Sequence, residues 1–160
     1  MFDDYGHDNS QNARKIPIFI KAIDILKISG KITDLVLSTV SEDDNNIEKQ
    51  MLKSTAEHIR ENAMLIPVKI SGAMAVDLYD LKMENAAIIR KLAREIATNC
   101  TGLKRYYFQE TDYLNLLKTE IENFRILFAE WVKTFNEWDY IIDRWGLFNP
   151  PGVNYDDHDP

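Results

Sequence analysis

Toward the C-terminus, apolar residues recur in unbroken steps of three and four: Leu114, Leu117, Ile121, Phe124, Phe128, Trp131, Phe135, Trp138, Ile142 and Trp145. That spacing puts one narrow apolar face on an α-helix and does not fit a strand, which alternates with period two. The same pattern predicts three earlier helices. The first begins near Pro17, a residue suited to a first helical turn because its missing N–H would be unpaired there anyway. It carries Ile18, Ala22, Ile25, Ile32 and Val36 in register, with Gly30 as a weak point, and stops at the polar run Ser41–Asn46.

The second helix runs from about Ile47 with Leu52, Ala56, Ile59, Ala63, Ile66, Ile70 and Ala73 on one face. Its small residues allow a close neighbour. Pro67 falls inside it, removes the backbone bond to Ala63 and predicts a kink. The helix ends either at Ser71-Gly72 or near Asp80–Lys82. The third covers roughly Met83 to Tyr107, and the fourth runs from Thr111-Asp112 to about Trp145, with Gly146 as its stop. Such a fourth helix would be a rod of ~51 Å. The expectation is an all-α, up-down-up-down four-helix bundle over residues 16–148 with a proline-kinked second helix. Residues 1–15 and 149–160 are polar and aperiodic and are expected to be mobile tails.

At 160 residues the chain suits one domain, and no apolar run approaches the ~20 residues that span a bilayer. The polar N-terminus lacks the apolar region of a secretory signal. With a single cysteine, Cys100, no internal disulfide is available, and the expected location is cytoplasmic, with no membrane partner. Cys100 falls on an apolar face and is expected to be a buried small hydrophobe. The formal charge of −7 argues against broad nonspecific DNA binding. More than half of the excess lies in the two tails.

The chemistry of helical-bundle enzymes is missing. A di-metal carboxylate site needs Glu-x-x-His pairs on two helices, and the three histidines, His7, His58 and His158, supply none. There is no glycine-rich phosphate loop and no Gly-x-Ser-x-Gly or His-Glu-x-x-His motif. No catalytic residue, metal or cofactor is therefore expected. His58 as a phosphoacceptor of a histidine phosphotransfer module is a remote alternative. The residues after it lack the run such modules carry, and its plainer reading is a partly exposed helical histidine.

Two surfaces are candidates for binding. Trp131, Trp138 and Trp145 recur every seven residues. They either pack in the core or, on a helix that outruns its neighbours, form an oligomer interface. The third helix is the one local basic excess, with six basic and two acidic residues from Lys82 to Arg105. Lys91, Arg94 and Arg105 share one side of it and could follow a phosphate backbone. The plainer reading is a solvated face, or one that meets the acidic fourth helix.

Within the second helix, Ile59-Arg60, Ala63, Ile66-Pro67, Ile70 and Gly72 stand in a recognisable order, and Arg90 and Ala93 extend it into the third. In these positions the chain resembles the bacterial four-helix-bundle proteins encoded by intervening sequences within 23S rRNA genes. The similarity covers roughly residues 18–107. The resemblance implies a homo-oligomer, often a ring of five, with no assigned activity. A related group, the accessory proteins of diversity-generating retroelements, implies nucleic-acid binding through basic surfaces. The leading expectation is a non-enzymatic homo-oligomeric scaffold, and the alternative is a nucleic-acid-binding accessory protein.

Overall fold

The structure, a computed structural model, describes residues 12–106 and 108–160. Most of the expected N-terminal tail, His7 included, lies outside the described residues. Four helices follow in order: α1 (Pro17–Thr39), α2 (Ile47–Met74), α3 (Tyr79–Arg105) and α4 (Thr111–Val132). No strand occurs among the described residues. Each helix packs on the next, and α4 returns to α1, which closes a four-helix bundle.

Each helix forms for a local reason and stays for a shared one. Pro17 opens α1. Asn46 caps α2 by accepting from the amides of Glu48 (2.9 Å) and Lys49 (3.4 Å), which satisfies two of the donors a helix start leaves unpaired. The buried face of α2 steps through Leu52, Ala56, Ile59, Ala63, Ile66 and Ile70. Facing it, α3 buries Ala86, Ile89, Ala93, Ile96 and Cys100. Alanines on both sides bring these two backbones close, and the isoleucines fill the space between. Pro67 is buried inside α2, where it donates nothing to the Ala63 carbonyl and its ring crowds that oxygen.

Polar ties set the register between helices. Thr33 is fully buried, and its hydroxyl lies 2.9 Å from the carbonyl oxygens of both Ser29 and Ala56, so it joins α1 to α2. Lys21 on α1 pairs with Glu120 on α4, and Asn62 on α2 donates to Glu95 on α3 (3.1 Å). Hydrogen bonding to Glu120 is the main reason the Lys21 ammonium titrates above its ordinary value. No described helix is long and apolar enough to cross a membrane.

Helix boundaries differ from expectation in two places. α3 starts at Tyr79, not near Met83, with Asp80 in its positively polarised first turn. α4 ends at Val132, not near Trp145, and at 22 residues it does not outrun the 23-residue α1. Beyond Val132 the apolar spacing persists but the helix does not. Thr134 bonds back to Trp131 through both its amide and its hydroxyl, and the Asn136 side chain takes the Trp138 amide (3.0 Å). Such side-chain bonds to nearby backbone compete with helical ones.

Gly30 lies inside α1, and a Cβ built there meets no atom within 4 Å. Gly30→Ala should therefore stabilise the bundle by about 1 kcal/mol, the helix-propensity difference. Thermal unfolding followed by circular dichroism should show a melting temperature roughly 2–4 °C higher. A lower melting temperature would mean that this stretch of α1 is not an open helical surface.

Candidate functional site: the C-terminal segment and the basic face of α3

After α4 the chain folds back across the end of the bundle where α2 passes to α3. Phe135 and Ile142 are buried, and Phe135 meets Trp131 edge to face at 4.9 Å between ring centroids. The Tyr79 amide, at the uncapped start of α3, donates to the Asp139 carbonyl (2.8 Å). Lys82 bonds the Ala73 carbonyl at the end of α2 (2.8 Å), with its ammonium 5.5 Å from the centre of the Phe135 ring. Burial holds the Lys82 pKa below the ordinary lysine value, and the nearby Asp77 carboxylate opposes that shift.

Asp143 organises the next turn. Its carboxylate accepts from the amides of Trp145 (3.0 Å), Leu147 (2.9 Å) and Phe148 (2.8 Å). Gly146, at φ +73°, supplies the left-handed residue that points these amides inward. The same bonds, that from Phe148 foremost, hold the Asp143 carboxyl below its ordinary value of 3.8. Arg144 then straps down the end of the chain. One guanidinium nitrogen donates to the carbonyls of Tyr155 (2.9 Å) and Asp157 (2.6 Å), the other to the Asp159 carboxylate (2.9 Å). The expectation that residues 149–160 form a mobile tail missed these bonds, because nothing in the local pattern marks Arg144 as a clamp for residues eleven and more positions away.

The three tryptophans therefore part company. Trp131 belongs to the core at 8% exposure, and its assignment to an oligomer interface is corrected by its packing against Phe128 and Phe135. Trp138 and Trp145 are 90% and 89% exposed, and Ile141, Leu147 and Tyr155 are also open to solvent. The heptad spacing that seemed to align all three holds only while the chain is helical.

On α3, Lys91 and Arg94 line one shallow depression together with Arg90, Glu95 and Thr98. Lys91 is 3.8 Å from Glu95, while Arg90 and Arg94 make no ion pair among the described residues. Arg105 is exposed but lies apart, in the last turn of α3, where a cation is favoured by the helix dipole. Arg90 enters the sequence pattern only through the family resemblance and not as a basic-face residue, though its spacing of four from Arg94 was the signal that could have placed it there. Between α3 and α4 an apolar groove of about 220 Å³ opens over Ala93, Ala97 and Phe128, with Arg90, Arg94 and the Glu122–Arg125 pair on its rim.

Elsewhere there is little chemistry. Cys100 is fully buried, and burial pushes its thiol up to about 11 against the pull of Lys118 and Lys104. His58 is exposed on α2. No group of three or more His, Cys, Asp or Glu residues arranged to hold a metal occurs among the described residues. In comparisons with known proteins the chain matches no family model, no curated protein and no solved structure.

Because the folded Asp143 carboxyl titrates below 3.8, its amide bonds are fully present above pH 3.8. They are lost as pH falls through the lower folded value. In an acid titration followed by NMR, the Leu147 and Phe148 amides should hold their shifts down to that point and move only below it. Asp143→Asn should displace both amides at neutral pH. A transition at or above 3.8 would contradict this geometry.

Proposed function

We propose that this chain is a non-enzymatic interaction protein that works as a homo-oligomer and engages its partner through the C-terminal aromatic segment. One observation carries the reading: Trp138 and Trp145 are almost wholly exposed on a backbone tied to α3 and to Asp143. A buried aromatic ring removes ~150–250 Å² from water, worth roughly 4–6 kcal/mol at ~25 cal/mol per Å² before ordering costs. A segment already held by hydrogen bonds loses little further entropy on docking. The resemblance to the 23S rRNA intervening-sequence proteins supports the same reading, since those proteins form homo-oligomers, often rings of five.

Sedimentation velocity over the micromolar range should find the parent assembled. The double variant Trp138→Ala, Trp145→Ala should sediment as a monomer with an unchanged circular dichroism spectrum, since neither ring is in the core. A parent protein that stays monomeric at high micromolar concentration would end this reading.

A second reading, nucleic-acid binding by α3, is favoured by the clustering of Arg90, Lys91 and Arg94 around one depression. Three phosphate contacts would give a log–log salt slope of about −3 on duplex DNA. Replacing all three residues with glutamine should abolish that binding if this face carries it. No measurable binding by the parent at low salt would remove this reading.

A further inference from the structure

We infer that the groove between α3 and α4 is the receptor for the Trp138-Asp139 corner of a second copy of this chain, so that subunits join head to tail. The inference rests on the scaffold reading above and names the surface that completes it.

The groove and the corner are complementary in two ways. Small side chains, Ala93 and Ala97, hollow the groove out, and Phe128 gives it an aromatic wall. Its rim carries Arg90 and Arg94, neither paired within the described chain, while Glu122 already occupies Arg125. A floor of this kind offers a phosphate backbone nothing, but it suits a flat ring with a carboxylate beside it. Guanidinium groups stack on indole rings and pair with carboxylates.

The C-terminal segment supplies both groups. From Trp138 to Pro160 it holds five aspartates against one arginine, Arg144. Trp138 stands next to Asp139, and both are exposed. Asp139 accepts from the Tyr79 amide through its backbone carbonyl, so that bond does not occupy its carboxylate, and the residue is exposed. Trp145 is a poorer anchor, because the neighbouring Asp143 carboxylate is consumed by three amides.

The chain cannot serve itself. Its own corner is fastened to Tyr79, eleven residues before Arg90, or ~16 Å along the helix. Groove and corner are thus different surfaces of one subunit. A contact between unlike surfaces is heterologous, and it builds a ring if the rotation closes and a filament if it does not.

The test mixes two half-defective proteins. Trp138→Ala keeps a groove without a corner, and Arg90→Glu, Arg94→Glu keeps a corner without a groove. Each alone should sediment as a monomer where the parent is assembled. Mixed in equal amounts, they should form a one-to-one heterodimer and nothing larger. Arg90→Gln with Arg94→Gln, a milder change at two exposed sites, should weaken assembly at least tenfold, and circular dichroism checks that the fold is kept.

A monomeric parent would overturn both the scaffold reading and this one. An assembled parent whose assembly survives Arg90→Glu, Arg94→Glu would overturn the groove assignment alone. Two monomeric variants that form no heterodimer would overturn head-to-tail pairing. Loss of duplex DNA binding in the arginine variants, with sedimentation unchanged, would assign the rim to nucleic acid and overturn the docking.

Discussion

Everything else in this protein depends on one shared core, built from a single apolar face of each helix. Ile18, Ile25 and Ile32 of α1 meet Ile59, Ile66 and Ile70 of α2, Ile89 and Ile96 of α3, and Leu114, Leu117 and Phe124 of α4. Most of the stability of such helices comes from packing an apolar face and not from their own hydrogen bonds, because nucleation is costly and each residue gives up backbone entropy. Burial of the common face offsets that loss, so the four helices stand or fall together. Of the two buried polar residues, Thr33 uses its hydroxyl to join two helices, whereas the Ser29 hydroxyl has no hydrogen-bond partner among the described residues.

The end of α4 shows how the core and the chain's polar side chains divide control. Trp131 and Phe135 still reach the core, so hydrophobic burial continues past Val132 after helical geometry has stopped. From there the backbone answers to Asn136, Asp143, Asn149 and Arg144, which bind amides and carbonyls close by in space. Ile142 is drawn in, while Trp138 and Trp145 are turned out. A surface of exposed rings on a fastened backbone is the consequence. It is this combination, rather than the number of tryptophans, that makes the segment suited to recognition.

Charge is arranged with a similar division. The acidic excess at the C-terminal end and the basic stretch of α3 belong to different parts of the chain, and at physiological salt charges more than a Debye length of ~8 Å apart are largely screened from one another. A net charge of −7 therefore says little about how the α3 face meets a partner. Along α3 the cations serve different ends. Lys82 closes the end of α2, Lys104 bonds Asn115 on α4, and Arg90 and Arg94 rim the groove.

Much of the fold was legible in the sequence, because burial of one helical face leaves a period that any reader of the chain can see. The steps on α1 and α2, the start at Pro17, the placement of Pro67 and the burial of Cys100 all follow from periodicity and local backbone rules. The same period misled beyond Val132, since spacing records which residues approach the core and not what backbone carries them there. Two parts of the candidate site were decided only by tertiary structure. Asp143 and Arg144 became organisers once the chain turned back on itself, and Arg90 became a groove residue once α4 packed beside α3. Local pattern is set by neighbours within a turn or two of chain. Which side chains share a surface depends on contacts between distant segments, and those exist only after the core has formed.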